Sequence, residues 1–486
     1  RNFVAYGENC FGLGLIFTAF KIPTQGDHWA YYFFLVTIFS LNSYAVYRLV
    51  RDYVRTESVA LVAGAAFPLT GFSLANLDDA NCIFVFFPVM ALHYLLRALK
   101  TGETRLLRRA AVFSGVQIWF GMYVFVFQFI VLAIVGLVSR KRLMELARWK
   151  DLGAALACYI GSAAPILVLY VLNHFEPDLV SPYENPMSRR LSSLHWYHFW
   201  NVLPGNLLYS SATNVYTTEA DASLWYSLRK TCFPGVVLPV VALLGVLWSF
   251  KGTKTFLAIF FVFLALAFGT NLFALEGIAE IPFGTYFRVA SRAYLFSLLA
   301  GFVYFAVGTD FLTEQVRRRW GRVAAGVPVV IGLAFVVENV PFPLPSYDYA
   351  TTLEPVESYR KFFEKFEERK IVADLPSDYQ ARLPQSDSLW TYSRDALYMN
   401  WQAYHRQIIV GGINSYLPRS RISVDGMIQR LPAPEAIAGL KEFGVEFLVF
   451  HKKFILFPNE DVLSGLKASS AAKLEFEDGD LAIFSI

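Results

Sequence analysis

Apolar runs of about 20 residues recur from Ala30 to Val340, each long enough to cross a bilayer as a helix. The pattern predicts spans over Ala30–Val50, Val59–Ala75, Cys82–Leu99, Leu152–Leu172, Val236–Phe250, Phe256–Leu275, Val289–Phe311 and Val323–Val340. Basic residues gather in some of the breaks between them. Arg48, Arg51 and Arg55 close the first run, and Arg97, Lys100, Arg105, Arg108 and Arg109 close the third. Arg140, Lys141, Arg142, Arg148 and Lys150 form a third cluster, Lys251 and Lys254 a fourth, and Arg317, Arg318, Arg319 and Arg322 a fifth. Arginine and lysine collect on the cytoplasmic side of membrane proteins, so these clusters orient the spans. Asp78 and Asp79 then fall on the opposite face, where two helices turn sharply with no room for a loop.

Residues 110–138, "AAVFSGVQIWFGMYVFVFQFIVLAIVGLV", have a basic cluster on each side. One span cannot keep both ends in the cytoplasm, whereas two half-length helices turning near Gly121 can. The expectation is a re-entrant hairpin; the rival is a single span with a misplaced basic loop. Non-helical backbone at membrane depth is tolerated where it is buried in protein or lines a wet cavity.

Polar breaks complete the pattern. Residues 173–232 are rich in Pro, Asn, Ser, Trp and Tyr and read as an external loop, whose "LHWYHFW" suits the interfacial aromatic belt. After Pro341 the period changes. "PFPLPSYDY" reads as a linker, "EPVESYRKFFEKFEERK" as an amphipathic helix, and "IVADLP" and "RQIIVGG" as strands. "PAPEAIAGLKEFGVEFLVFHKK" reads as helix, glycine, strand, and "LEFEDGDLAIFSI" as a terminal hairpin. The expected fold class is mostly α: a polytopic transmembrane helical bundle over residues 1–340, followed by a small extracytoplasmic α+β domain over 345–486.

Composition agrees. Of 486 residues, 55% are hydrophobic and 17% charged, against about 25% charged in an ordinary soluble chain. The net charge of +4 is small, and its clusters are rims of membrane helices, so nothing points to nucleic acid. Cys10, Cys82, Cys158 and Cys232 make no CxxC and no zinc spacing and read as solitary apolar thiols. The chain opens at Arg1 without a methionine, which predicts further sequence upstream.

Candidate chemistry is sparse. Asp78 and Asp79 read either as a cap for the helix beginning near Asn81 or as carboxylates facing an external cavity, as acceptor-binding group, base or ligand of a divalent cation. Arg288 and Arg292, four apart in "YFRVASRAYLF", share a helical face at a lipid–water boundary. Their forked donors suit a lipid-linked phosphate; the alternative is snorkelling to headgroups or pairing with Glu276 or Glu280. His195 and His198 have the spacing of half a metal site, but His174 and Glu184 supply no clear third ligand, so no metal site is assigned. HExxH, GxSxG and phosphate-loop motifs do not occur.

The order of features resembles the GT-C superfamily of integral-membrane glycosyltransferases, in particular bacterial YfhO-like proteins. "GENCFGLGLIF" leads into a span, "LANLDDANCIFVFFPVMALHYLLRAL" follows, then a glycine-broken apolar segment, "NVLPGNLLY", "YFRVASRAYLF", and a tail holding "IVADLP", "YHRQIIVGGINSYLP" and "GVEFLVFHKK". The resemblance implies transfer of a sugar from a polyprenyl-phosphate donor on the extracytoplasmic face of the bacterial inner membrane. It also implies a catalytic carboxylate in the first external loop; Glu8 is the one carboxylate in that neighbourhood. Where related proteins often carry a histidine turn, this chain has "LANLDDAN". Arg288 and Arg292 would then clamp the lipid phosphate, and Asp78 or Asp79 would position the acceptor or a divalent ion. One rival is a non-catalytic subunit working with other membrane subunits; another is a transporter or flippase, although inverted repeats and midplane charges are not evident.

The topology makes a direct prediction. Single cysteines placed at Ser211 and Ser386 label from outside the cell, and those at Ser139 and Thr253 do not; external labelling at Ser139 would refute the hairpin.

Overall fold

The computed structural model describes residues 10–24, 27–77, 79–146, 149–174, 179–180, 193–203, 206–209, 230–272, 290–342, 357–375, 406–410, 417–452 and 459–486. The chain forms two compact units, Arg1–Phe175 with Glu184–Pro345, and Glu176–Tyr183 with Ser346–Ile486.

The first unit is helical. It runs α1 (Phe11–Thr24), α2 (Asp27–Val50), α3 (Glu57–Ala66), α4 (Gly71–Ala75), α5 (Ala80–Ile83), α6 (Phe86–Thr101) and α7 (Thr104–Val116). Then follow α8 (Met122–Val138), α9 (Arg140–Leu146), α10 (Trp149–His174), α11 (Val237–Phe268), α12 (Tyr294–Trp320) and α13 (Val327–Asn339). Among the described residues, five stretches are long and apolar enough to cross a membrane: Trp29–Val50, Glu57–Ala75, Ala80–Thr101, Trp149–Leu169 and Ala290–Asn339. The protein is an integral membrane protein on that ground. The periodicity did not mark α1 as a separate helix. Its 14 residues are too few to span a bilayer, and it packs as a shorter apolar helix.

Packing centres on α12, in which every residue from Tyr294 to Thr309 is buried. A helix apolar on all sides belongs in the middle of a bundle. Phe302 meets Phe67 and Phe335 with ring centroids 5.4 and 5.5 Å apart, and Phe296 stacks on Phe263 at 4.9 Å. Backbone also meets backbone. A Cβ on Gly245 would stand 2.0 Å from the Tyr304 carbonyl oxygen, and one on Gly308 2.0 Å from that of Val241. Only glycine permits α11 and α12 to cross this closely, the arrangement by which membrane helices associate through small residues.

Several predicted spans are broken. Val59–Ala75 ends α3 at a 3₁₀ turn, Phe67–Leu69, set by Pro68, and restarts as α4. Cys82–Leu99 is divided at Phe84–Val85, between α5 and α6. Residues 110–138 divide where α7 passes through a 3₁₀ turn, Gln117–Trp119, and α8 restarts after Gly121. Val236–Phe250 and Phe256–Leu275 correspond to the two helical halves of α11, Val237–Ser249 and Gly252–Phe268, separated by non-helical backbone at Ser249.

Polar side chains from other elements satisfy backbone groups at or near these breaks and connections. Asn42 donates to the Ile83 carbonyl at 2.8 Å and accepts from the Val85 amide at 3.0 Å. Gln128 donates to the Ser114 carbonyl at 2.7 Å, and the Trp119 indole to that of Ser162 at 2.8 Å. Asp310 accepts from the amides of Arg55 and Thr56 at 3.1 and 3.0 Å, just before α3.

The second unit holds α14 (Glu357–Phe363), α15 (Arg419–Ile428), α16 (Pro434–Glu442) and α17 (Asn459–Ala468). Its strands are β1 (Leu179–Val180), β2 (Ile371–Leu375), β3 (Ile408–Ile409), β4 (Leu417–Pro418), β5 (Phe447–His451), β6 (Lys473–Glu477) and β7 (Leu481–Ser485). Five form a mixed sheet, β3-β2-β5-β7-β6, with β2 parallel to β3 and β5, and with β7 antiparallel to β5 and β6. β1 pairs antiparallel with β4. Alternate residues serve opposite faces. Leu375, Leu448 and Phe450 pack with Ile437 and Leu440 of α16, while Val372, Phe447 and Val449 pack with Tyr359, Phe362 and Phe363 of α14. With both faces covered, β5 is buried along its whole length. The Tyr359 hydroxyl and His451 Nε2 both meet Asp374 Oδ1 at 2.8 Å, a buried polar knot between α14, β2 and β5.

The repair of the helix breaks is testable. Asn42→Leu strands two buried backbone groups and lowers stability by about 2–4 kcal/mol, read as a lower unfolding midpoint in detergent. An unchanged midpoint would mean that the break holds without the side chain.

Candidate functional site

Two helix breaks and the start of α12 meet within the first unit. The first is the turn after α4. Asn76 donates from its side chain to the Phe72 carbonyl at 2.8 Å and accepts from the Asp79 amide at 3.0 Å. The Tyr31 hydroxyl, from α2, donates to the Leu77 carbonyl at 2.6 Å. These bonds fix the turn that presents Asp79. The second break is Gln117–Gly121. Here the chain approaches α5 so closely that a Cβ on Gly121 would lie 3.0 Å from the Asn81 carbonyl oxygen. The third segment is the 3₁₀ turn Ala290–Ala293 that leads into α12 and carries Arg292.

At the junction Arg292 Nη2 donates to Asp79 Oδ2 at 2.6 Å. The guanidinium carbon lies 4.2 Å from the centroid of the Tyr123 ring, in the first turn of α8. Both charged side chains are largely buried, at 17% and 14% exposure, so the short charge-assisted bond acts in a low-dielectric setting. The aromatic face adds attraction where water is scarce. Each of the three residues comes from a different one of these segments.

Asp79 and Arg292 are therefore brought together, whereas Asp78, Arg288 and Glu8 lie outside the described residues. Asp79 stands at the N-cap position of α5, yet its side chain makes no capping hydrogen bond. The carboxylate serves the arginine. The helix-capping acid is Glu338, which the sequence reading passed over. Buried at the end of α13, it accepts from the amides of Val236 and Val237 at the start of α11, the latter at 2.8 Å, and from the Tyr209 hydroxyl at 2.7 Å. That bond, with desolvation, pushes the Tyr209 phenol up to about 12. An acidic residue at the end of an apolar run was the available signal for Glu338. Nothing local distinguishes Tyr123 or Tyr31 among 26 tyrosines.

The histidine pair has a local role. His198 is buried, and its Nδ1 accepts from the His195 amide at 2.8 Å, closing the 3₁₀ turn Trp196–Phe199. That fixes the ring proton on Nε2 and removes Nδ1 as a metal ligand. Among the described residues no three His, Cys, Asp or Glu side chains cluster as metal ligands, and the four cysteines are not joined in disulfides.

No protein-family model matches the chain, and no curated protein matches it. Solved structures align with it over most of its length. ArnT from Cupriavidus metallidurans, bound to undecaprenyl phosphate, is similar at 12% identity over 99% of this chain and 88% of that one, with a TM-score of 0.39. Its apo state gives a TM-score of 0.40 at the same identity and coverage. The oligosaccharyltransferase of Archaeoglobus fulgidus, in complex with Zn and sulfate, aligns over 90% of this chain at 12% identity and a TM-score of 0.39. The alignment spans 59% of that chain's length. At these values the alignments assign this chain neither a reaction nor a ligand.

The ion pair makes its own prediction. Asp79→Asn and Arg292→Gln each lower stability by about 1–3 kcal/mol, and the double variant loses less than their sum. Strict additivity in detergent unfolding would show that the two side chains do not act as a unit.

Proposed function

We propose that the chain is a membrane glycosyltransferase of the GT-C type, working on a polyprenyl-phosphate-linked sugar at the extracytoplasmic face of a bacterial inner membrane. The observation that carries the reading is the oriented guanidinium of Arg292, held by Asp79 and by the Tyr123 ring where the start of α12 meets two helix breaks. A membrane protein keeps a desolvated ion pair of this kind at a cost, and such pairs commonly mark a substrate path. A guanidinium presents planar, forked donors that match phosphate oxygens. In this reading Arg292 contacts the donor phosphate, and Arg288 is a second donor to it. Asp79 positions Arg292, leaving Asp78 and Glu8 as the candidate carboxylates that take the proton of the acceptor hydroxyl. The basic clusters support an extracytoplasmic position for the α+β tail.

One observation favours a second reading, a non-catalytic subunit of a membrane complex. Asp79 is engaged in a short ion pair with Arg292, the arrangement of a residue that positions the arginine more than of a base facing an acceptor hydroxyl. A protein of this second kind binds the lipid phosphate without turnover.

The experiment separates the two. The purified full chain in nanodiscs binds polyprenyl phosphate, and Arg292→Ala weakens binding by about 10–100-fold, the worth of one charge-assisted hydrogen bond. Sugar transfer from a lipid-linked donor supports the enzyme. Binding without transfer supports the accessory subunit, and no binding by the unaltered chain overturns both.

A further inference from the structure

Residues Asn206–Tyr209 make a turn in which polar atoms point in and apolar side chains point out. Asn206 is buried. Its side-chain oxygen accepts from the amides of Leu208 and Tyr209, both at 3.0 Å, and its side-chain nitrogen donates to the Glu338 carbonyl at 2.7 Å. Its backbone bridges to Pro341. The Tyr209 hydroxyl and the amides at the start of α11 converge on the Glu338 carboxylate. The turn is thus fixed to the ends of both α11 and α13. What it presents is apolar: Leu207 and Leu208 are 59% and 57% exposed, and neighbouring Phe342 is 75% exposed.

A turn tied down this firmly does not hold leucines outward by accident of mobility. The exposed side chains continue a strip. On α11 Val236, Val240, Leu243 and Leu247 recur at helical spacing with more than half their surface exposed. On α13 Val330 and Leu333 do the same, and Val337, one turn further on, is 41% exposed. Val236 and Val337 end these two rows, and the Glu338 network sits between them. Two rows of apolar side chains on membrane helices face acyl chains, and the turn is tied to the ends of both helices.

We infer that the Leu207–Leu208 turn and Phe342 lie immersed in the bilayer leaflet nearest Glu338, against lipid acyl chains. The Glu338–Tyr209–Asn206 network satisfies the backbone of this irregular segment from within, which is the condition for non-helical chain to enter apolar surroundings. The segment then acts as an apolar foot that fixes the depth of α11 and α13 in the membrane. The inference is independent of the proposed reaction.

The test reads depth. The full chain, with Cys10, Cys82, Cys158 and Cys232 replaced by serine or alanine, carries a single nitroxide-labelled cysteine at position 208, 342 or 247 in phosphatidylcholine vesicles. Collisions with molecular oxygen exceed those with a water-soluble nickel chelate at 208 and 342, as they do at the lipid-facing reference 247. Dominant nickel collisions at 208 and 342 would place the turn in water and overturn the inference. Low collision rates with both would show a protein partner covering it, and overturn it equally. If the cysteine-free chain fails to fold, a benzoylphenylalanine at position 208 in the native-cysteine protein gives the same decision. Photo-adducts to phospholipid support immersion; adducts only to protein, or none to lipid, refute it.

Discussion

In the apolar interior of this bundle a backbone amide or carbonyl has no water to turn to. An unpaired group there costs several kcal/mol, so every helix break must be answered by another part of the chain. The first unit breaks its helices repeatedly, near Pro68, at Asn76–Asp79, at Phe84–Val85, at Gln117–Gly121 and at Ser249. The answers come from side chains on other elements: Asn42 for the α5–α6 break, Tyr31 for the Leu77 carbonyl, Gln128 for Ser114, and Glu338 for the start of α11. These residues make the irregular backbone affordable in an apolar setting, and the breaks in turn create concave places where polar groups can meet.

The Asp79–Arg292 pair is a product of that arrangement. Neither residue sits within a long straight helix. Each lies at a helix end, on a short turn or 3₁₀ segment, where backbone direction changes and a charged side chain can reach sideways into the bundle. Tyr123 reaches the same point because α8 begins afresh after Gly121. Continuous helices would hold these three residues on separate axes. A guanidinium fixed on two sides has lost most of its rotamer freedom before any ligand arrives, which lowers the entropic cost of binding an anion. This links local helix breaking to the proposed phosphate contact.

The second unit follows ordinary soluble-domain rules. Its central strand β5 is apolar on both faces because helices cover both, and its edge strand β6 alternates charged with apolar residues. The polar knot of Tyr359, Asp374 and His451 ties α14 to the two parallel strands β2 and β5. Such a knot is stable only when its buried members satisfy one another.

The sequence by itself determined the class of the protein. Apolar runs of membrane length, basic rims, the change of period after Pro341 and the terminal hairpin are local properties, and local hydrophobicity and turn chemistry suffice to produce them. It also marked Gly121 and the Asp pair as places where helices turn. What it left open depended on distance along the chain. Asp79 and Arg292 are 213 residues apart, and two sensible local readings, a helix cap and a phosphate clamp, gave no reason to join them. Glu338, at the end of an apolar run, caps a helix that begins about a hundred residues earlier in the chain. The parallel pairing of β2 with β5, and the meeting of Gly245 with Gly308, were equally silent. A residue type and its neighbours fix what a side chain is able to do; which partner it meets is decided by packing, through contacts whose closeness in space has no counterpart in sequence spacing.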